Sequence, residues 1–295
     1  MNQRLEDLLT KAWGPSLPVI IVTAIVALLL PILVHTFLYR ARTPTSLPSF
    51  LLVGPSGSGK TSLLTVFENG SPAPTHLSQT PSTVQVQLPP STKADSQKYR
   101  SEHDPTAKQR PKFLIIDTPG HGKLRNHAFE QLRKPQPHLK GIIFVVDSAS
   151  LSSDTPGRSA AGLTEAAQYL HDILLLLQKR YTGAKSSKGP PELPVLIAAN
   201  KLDLFTALPA QLVKSALEAE ITRIRTTRAK GLLDSAVKDE TLEEEREWLG
   251  DGGEGKFEFG QMEEVNVPIK VVGGNVIGAD GSDISGWWEW IGEQL

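Results

Sequence analysis

Short apolar runs along the chain predict β-strands, and the longer amphipathic stretches between them predict helices. Most of the strand runs are apolar throughout, which is typical of strands buried on both faces, whereas Val84–Leu88 alternates as a half-exposed strand does. The predicted strands are Phe50–Val53, Val84–Leu88, Phe113–Ile116, Gly141–Val146, Leu193–Ala199 and Val265–Val272. The predicted helices are Thr61–Phe67, Thr164–Lys179, Leu208–Arg228, Leu233–Leu249 and Asp283–Leu295, the last carrying three tryptophans that we expect to serve packing.

A longer apolar run, Val19–Tyr39, carries no formal charge and has the length that crosses a bilayer core. A cleaved signal peptide or a buried core helix would be shorter, so a transmembrane anchor fits this run best. Arg40 and Arg42 follow it, which places the residues from 40 onward in the cytosol by the positive-inside rule. The predicted organisation is a luminal N-terminus at 1–17, a transmembrane helix at 18–39, a Pro/Ser/Thr linker at 40–46, and a cytosolic domain at 47–295 with polar insertions at about 89–111 and 228–256.

The amino-acid composition excludes several classes of site and partner. The 295 residues allow one large domain or two small ones, and the net charge of −1 gives no sign of direct nucleic-acid binding. Because the chain has no cysteine, it contains no disulfide framework and no thiolate metal site. Its 7 histidines are scattered without the spacing of metal ligands.

The segment Gly54–Thr61 (GPSGSGKT) fits the phosphate-loop pattern G-x-x-x-x-G-K-[ST] and lies between a predicted strand and a predicted helix. Glycines let successive backbone N–H groups point at an anion, and the following helix adds the positive end of its dipole. In this pattern Lys60 reaches the β- and γ-phosphates of a nucleotide, and the Thr61 hydroxyl ligates Mg²⁺. We therefore predict a nucleotide site that requires Mg²⁺.

A second motif follows the predicted strand Phe113–Ile116, which ends on Asp117-Thr118-Pro119-Gly120. In phosphate-loop proteins, an aspartate at a strand end holds Mg²⁺, often through water. A glycine lets its backbone N–H approach the γ-phosphate closely, which is the role we expect for Gly120.

A third motif, Asn200-Lys201-Leu202-Asp203, follows another apolar strand. The Asp203 carboxylate can accept two hydrogen bonds from the guanine edge, a donor pair that adenine lacks. We expect Asn200 to contact the base and brace the phosphate loop, and the Lys201 stem to lie along the ring plane. Together the three motifs predict guanine specificity.

These motifs, in this order, resemble the small Ras-like GTPases. The run DTPGHGKLR at 117–125, the Lys256–Phe259 segment (KFEF), the C-terminal WEWI and the N-terminal anchor resemble the family of signal recognition particle receptor β subunits, in particular the fungal ones. The resemblance covers nearly the whole chain. It implies an α/β fold, a Ras-like phosphate-loop GTPase with a mostly parallel six-stranded sheet and helices on both faces, preceded by one transmembrane helix.

The resemblance also implies a function. Members of this family lie in the endoplasmic reticulum membrane as single-pass proteins with a cytosolic GTPase domain. In the GTP form they bind the N-terminal domain of the receptor α subunit. Through that subunit they support delivery of ribosomes to the translocon, so the ribosome and the translocon are indirect partners. The cofactors implied are GTP or GDP and Mg²⁺.

The site residues carried over fall into groups by role. The phosphate group is Gly54, Pro55, Ser56, Gly57, Ser58, Gly59, Lys60, Thr61 and Ser62; the metal group is Thr61, Thr80 and Asp117; the γ-phosphate sensor is Gly120; the guanine group is Asn200, Lys201, Asp203 and Gly274. Thr80 is the best match to the first-switch threonine, with Ser82 and Thr83 as alternatives. The family's Ser-Ala contact to guanine O6 is absent, and a backbone N–H of Gly274 is expected in its place.

Hydrolysis of GTP is expected to be slow. His121 stands where Ras-like enzymes have a catalytic glutamine, so it and Lys60 are the candidate catalytic residues, and no arginine finger is evident within the chain. We expect a binding switch in which Ser78–Thr83 and Gly120–Arg125 are ordered by the γ-phosphate and Mg²⁺. Two alternatives remain open: a membrane-anchored Arf-like trafficking GTPase with another effector, and a scaffold whose nucleotide is only structural.

Overall fold

The structure is a computed structural model that describes residues 20–21, 23–32, 47–97, 110–134, 136–152, 161–183, 190–234, 249–250, 255–278 and 281–295. The chain divides into two compact units, Met1–Leu47 and Pro48–Leu295. In the first unit, residues 20, 21 and 23–32 are helical and exposed, and the rest of the predicted anchor at 18–39 lies outside the described residues. No helix within the described ranges is both long and apolar enough to cross a bilayer. The anchor therefore stays a prediction.

The second unit is built on a six-stranded sheet with the order β2-β3-β1-β4-β5-β6. All neighbouring strands are parallel except β2 and β3, which form an antiparallel pair at one edge. This confirms the predicted α/β fold with a mostly parallel sheet. The strands are β1 (Ser49–Val53), β2 (Ser82–Gln87), β3 (Lys112–Asp117), β4 (Leu139–Asp147), β5 (Val195–Asn200) and β6 (Ile269–Gly273).

Helices cover both faces of the sheet, as parallel strands require. They are α1 (Lys60–Asn69), α2 (Asn126–Arg133), α3 (Ala161–Thr182), α4 (Ala210–Asp234) and α5 (Ser285–Glu293). One apolar cluster joins the sheet to α2, α3 and α4, and another joins it to α1 and α5. The predicted helix Leu233–Leu249 lies outside the described residues except at its ends, and its first two positions continue α4.

The tryptophans of α5 pack into the core, as expected. Trp287 and Trp290 are buried, and the Trp288 ring lies 4.5 Å from that of Phe67 on α1. The signature segment Lys256–Phe259 is also a packing element, since Phe257 and Phe259 are both buried. Their backbone N–H groups donate to Thr222 Oγ1 and Glu218 Oε1 of α4, at 2.9 and 2.8 Å.

The predicted polar insertion at about 89–111 packs against the domain over its first part, because Ala94 is buried and a Cβ added to Gly292 of α5 would meet the Lys93 carbonyl oxygen at 2.9 Å. One expectation needs correction. The last strand begins later than predicted, since residues Phe259–Val265 form a 3₁₀ helix that ends at Asn266, whose φ is 58°. Val265 of the predicted strand therefore belongs to this short helix, and Val267 lies in the connection between the helix and β6.

Candidate nucleotide site

The phosphate loop between β1 and α1 has the backbone that its glycines permit. Gly54, Gly57 and Gly59 have φ values of 144°, 77° and 96°, in the region that side chains disfavour. Two of them also face close neighbours: a Cβ at Gly54 would lie 2.2 Å from the Val145 carbonyl oxygen, and one at Gly59 would lie 2.3 Å from Asn200 Nδ2. The glycine pattern is therefore required both by backbone conformation and by packing against β4 and β5.

Lys60 opens α1 and is buried beneath this loop. Its ammonium donates to the carbonyl oxygens of Gly54 and Pro55 at 2.9 and 2.8 Å. Burial lowers the pKa of Lys60 to about 8, and the charge of Asp117 partly opposes that shift. A buried cation held by carbonyl dipoles is ready to bind an anion, which would replace the solvation that Lys60 has lost.

Asp117 ends β3 directly beside Lys60 and Thr61, where the fold places a metal-binding carboxylate. It is fully buried, and Thr61 Oγ1 donates to its Oδ2 at 3.1 Å. Its Oδ1 is buried with no hydrogen-bond partner among the described residues, and burial raises the Asp117 pKa. An unpaired buried carboxylate oxygen next to a hydroxyl fits a hydrated Mg²⁺, which takes oxygen ligands and keeps several waters.

A cavity of about 700 Å³ opens above these residues. It contains most of the predicted phosphate and switch residues, including Gly120, where an added Cβ would lie only 2.5 Å from Lys60 Nζ. The lining consists of Ser56, Gly57, Gly59, Lys60, Thr61, Ser62, Thr75, His76, Leu77, Ser78, Gln79, Thr80, Gly120, His121 and Leu124. The cavity is therefore formed jointly by the phosphate loop and the two predicted switch segments.

The structure separates the candidates for the first-switch metal ligand. Thr80 lines the cavity, and its carbonyl oxygen accepts a hydrogen bond from Ser78 Oγ at 2.9 Å. Ser82 and Thr83 lie instead within β2, where Ser82 pairs with Asp117 in the antiparallel register. Of the three candidates, Thr80 is therefore the one that lines this cavity, and its role as a metal ligand stays a prediction.

His121 lines the same cavity with an exposed side chain. Its Nδ1 accepts a hydrogen bond from the Lys123 N–H at 3.4 Å, at the start of the short 3₁₀ helix Gly122–Leu124. The His121 ring therefore lines the cavity where a water-positioning residue is expected, and its described hydrogen bond is to Lys123, two residues away.

Asn200 ties the third motif to the phosphate loop. Its Nδ2 donates to the Ser58 carbonyl oxygen at 2.8 Å. Its Oδ1 accepts from the N–H groups of Lys201 and Val276 at 2.8 and 3.0 Å. One buried side chain therefore connects the phosphate loop, the end of β5 and the segment after β6.

Lys201 adopts φ 67° and its ammonium lies 2.6 Å from Asp147 Oδ2 at the end of β4. Asp147 also accepts, through Oδ1, the N–H groups of the two residues Ala149 and Ser150. Asp203 is exposed beside Gly278 and does not line the 700 Å³ cavity. Lys201 and Asp203 therefore do not line the phosphate cavity, whereas Asn200 contacts the phosphate loop.

The expectation for Gly274 is wrong in this structure. Its N–H donates to the Ala199 carbonyl oxygen at 2.9 Å, as part of the β5–β6 ladder, so it is not available to guanine O6. Instead, Gly274 is required for packing, since a Cβ there would lie 2.5 Å from the Asp283 carbonyl oxygen and 2.9 Å from the Trp287 ring.

Two groups of residues were missed by sequence reasoning. One is Asp147, whose position at a strand end was the available signal, because the carboxyl ends of neighbouring parallel strands meet at one edge of the sheet. The other anchors the second switch: Arg125 lies 2.6 Å from Glu165 Oε1 and stacks at 4.5 Å over the Tyr169 ring. Nothing in the local sequence marks this contact, which joins positions 40 residues apart.

Comparisons with known proteins agree with one another. The family profile described as signal recognition particle receptor beta subunit matches residues 45–267. The signal recognition particle receptor subunit beta of Saccharomyces cerevisiae is 31% identical over 254 residues, covering 84% of each chain. Among solved structures, the SRb-GTP/SRX complex of Chaetomium thermophilum shares 38% identity at a TM-score of 0.66, covering 84% of this chain and 100% of that one. SRb-GDP-Mg from the same organism shares 41% identity at a TM-score of 0.60, covering 85% and 100%.

Proposed function

The chain belongs to the family of signal recognition particle receptor beta subunits, and from this premise we propose that it is a GTP-gated switch that holds the receptor alpha subunit at the endoplasmic reticulum membrane. The observation that carries the proposal is the Asn200–Ser58 hydrogen bond, because it joins a guanine motif to a phosphate loop in one site. The similar Chaetomium chains, described as SRb-GTP in complex with SRX and as SRb-GDP-Mg, support the same ligands.

The residues divide the work of holding the nucleotide. The phosphate-loop N–H groups and Lys60 would bind the phosphates, while Asp203 and the Lys201 stem would hold guanine. Thr61 and Thr80 would ligate Mg²⁺, with Asp117 binding its waters. When bound, Mg²⁺ neutralises charge on the β- and γ-phosphate oxygens. Gly120 lies close enough to Lys60 for its segment to respond to the γ-phosphate.

Intrinsic hydrolysis is proposed to be slow. His121 is the residue nearest in role to a water-positioning glutamine, and its only described hydrogen bond is to its own segment. Arg125 cannot serve as an arginine finger in this arrangement, because Glu165 and Tyr169 already bind its guanidinium. The GTP state would therefore persist long enough to keep a partner docked, with residues 18–39 as the single membrane anchor.

The test is GTP-dependent capture of the receptor alpha N-terminal domain by the full chain in detergent. We expect capture with GTP and Mg²⁺ and little capture with GDP. Asp203→Asn should abolish the GTP effect, and xanthosine triphosphate should restore it, because the new amide matches the xanthine edge. If the wild type and Asp203→Asn both capture the alpha subunit domain regardless of nucleotide, the alternative of a scaffold with a structural nucleotide would be favoured. GTP binding without any capture would favour an Arf-like trafficking GTPase.

A further inference from the structure

The amino ends of the central strands carry a group of exposed cations, which we call the basic edge: Lys93, Arg110, Lys112, Lys134 and Lys140. This edge is opposite the carboxyl ends of the strands, where the phosphate loop, Asp117 and Asn200 form the nucleotide site. It therefore has no part in binding the nucleotide.

Three of these cations lie around the amino ends of β3 and β4, with β1 between the two strands. Lys112 begins β3 and pairs with Gln87, the last residue of the antiparallel strand β2. Lys140 is the second residue of β4, directly after Leu139, which pairs with Ser49 of β1. Lys134 follows the end of α2 and leads back into β4.

The other two cations lie in the turn after β2 and just before β3. The Leu88 N–H donates to the Pro111 carbonyl oxygen at 3.1 Å, which brings the residues after β2 next to Arg110. The Thr92 N–H donates to the Pro89 carbonyl oxygen, closing the turn that presents Lys93.

Over the part of the chain that the structure describes, none of the five cations of the basic edge forms an ion pair with an acidic side chain. Asp95 is an exposed acid in the same turn region, and Glu293, which follows Gly292 beside Lys93, pairs with Lys270 at 3.1 Å. Glu192, Glu263 and Glu264 precede β5 and β6 on the other side of the sheet. The basic edge is therefore mostly positive around the amino ends of β1 and β3.

The globular unit also begins at the basic edge. Pro48 is its first residue, and the Pro48 carbonyl oxygen accepts the Leu114 N–H of β3 at 2.8 Å. The Ser49 N–H donates to the His138 carbonyl oxygen just before β4 at 2.8 Å. Any segment that precedes residue 48 is thus attached among the five cations.

We propose that the basic edge binds the anionic phospholipid headgroups of the membrane that residues 18–39 are proposed to span. The inference rests on that proposed anchor. Residues 40–47 reach at most about 28 Å when fully extended, so a chain of this length would hold residue 48 within that distance of the proposed anchor's end. Each Lys or Arg near an anionic surface strengthens attachment by about fivefold at moderate salt, and Arg40 and Arg42 add two more cations in the tether.

The absence of cysteine from the chain makes the test specific, because one introduced cysteine is unique. The full chain with Ser91→Cys, an exposed position beside Lys93, is labelled with a fluorophore and reconstituted into vesicles that carry a headgroup-attached quencher. We expect several-fold stronger quenching in vesicles containing phosphatidylserine than in phosphatidylcholine alone, decreasing at high salt. A label at Thr206→Cys, exposed near the opposite edge, should be quenched little in either.

Charge reversal supplies the matched control. Lys112→Glu with Lys140→Glu should remove the preference for phosphatidylserine, whereas Lys214→Glu with Lys256→Glu, the same change at exposed sites elsewhere, should preserve it. Equal quenching in both vesicle types, or no effect of the first pair, would overturn the proposal. Resistance to alkaline extraction tests separately whether residues 18–39 insert into the membrane. If the chain is extracted, the proposed anchor is refuted. Quenching by added vesicles then still measures whether the basic edge binds anionic lipid.

Discussion

Replacing Asn200 by aspartate isolates the one hydrogen bond that joins the guanine motif to the phosphate loop. The change keeps an oxygen at Oδ1, so the N–H groups of Lys201 and Val276 keep their acceptor. It replaces the Nδ2 donor by an oxygen that would face the Ser58 carbonyl oxygen, at a donor distance that is now 2.8 Å. Asn200→Asp therefore removes this hydrogen bond and adds a buried negative charge, with almost no change in shape.

The magnitude follows from burial, since Asn200 is 2% exposed. Leaving a buried carbonyl without its donor costs about 1–3 kcal/mol, and burying a carboxylate against it adds to that. We expect the free energy of unfolding to fall by about 3 kcal/mol, or a Tm lower by roughly 6–12 °C for a domain of this size. If about 2 kcal/mol of the loss appears in the phosphate loop, affinity for GTP falls about 30-fold.

The pH dependence of the effect identifies its cause. Burial beside a carbonyl oxygen raises the pKa of the introduced carboxyl above its unfolded value of about 4. The penalty is therefore absent below the unfolded pKa and fully present above the folded pKa. A protonated carboxyl can also donate to the Ser58 carbonyl oxygen, so lowering the pH should restore stability relative to the wild type.

The assay is chemical denaturation together with titration of a fluorescent GTP analogue, both measured across this pH range. Asn275→Asp is the matched control, because the Asn275 Nδ2 makes a similar 2.9 Å bond to the Gly281 carbonyl oxygen at an exposed site. There we expect a loss below about 1 kcal/mol and no change in GTP affinity. Equal losses in the two variants, or a loss for Asn200→Asp that does not depend on pH, would refute the argument.

Three further outcomes are expected. Thr80→Ala should lower the affinity of the GTP-bound protein for Mg²⁺ by about tenfold or more, whereas Ser82→Ala should leave that affinity unchanged. Titration of the GTP-bound protein with Mg²⁺ would measure both. Burial raises the Tyr169 pKa to about 12, so the unfolded state loses its proton first and stability falls between pH 10 and 12. Tyr169→Phe should remove up to about 3 kcal/mol of that alkaline loss in denaturation at pH 9 and 12. Phe259→Ala should lower the free energy of unfolding by about 3–5 kcal/mol and leave GTP affinity unchanged; a selective loss of affinity would contradict its assignment to the core.

The predictable part of the site was local in sequence. Gly54, Gly59 and Lys60 are predictable because a phosphate-binding turn constrains neighbouring residues. The structure shows this backbone requirement in the φ values and close contacts of Gly54 and Gly59. The buried strands are likewise predictable because each is apolar over its own length, although their ends are predicted less well.

The unpredicted part depends on which strands become neighbours. Asp147 meets Lys201 because β4 lies next to β5, and Arg125 meets Tyr169 because α2 and α3 share a face of the sheet. Neither adjacency is written in a local pattern. Gly274 failed for the same reason: the partner of its N–H is set by the β5–β6 register, which the sequence of β6 alone does not define.

The placement of the two ends of the sheet bears on how the proposed switch works. The cavity, both switch segments and Asn200 are at the carboxyl ends of the strands, while the unit begins at Pro48 among their amino ends. A partner that distinguishes GTP from GDP must contact the carboxyl end, because the γ-phosphate would order residues only there. Under the proposed anchor, the chain enters the domain at the amino ends of the strands. The two proposed interactions would therefore use different surfaces, and a change of nucleotide would release the partner while the domain stays attached.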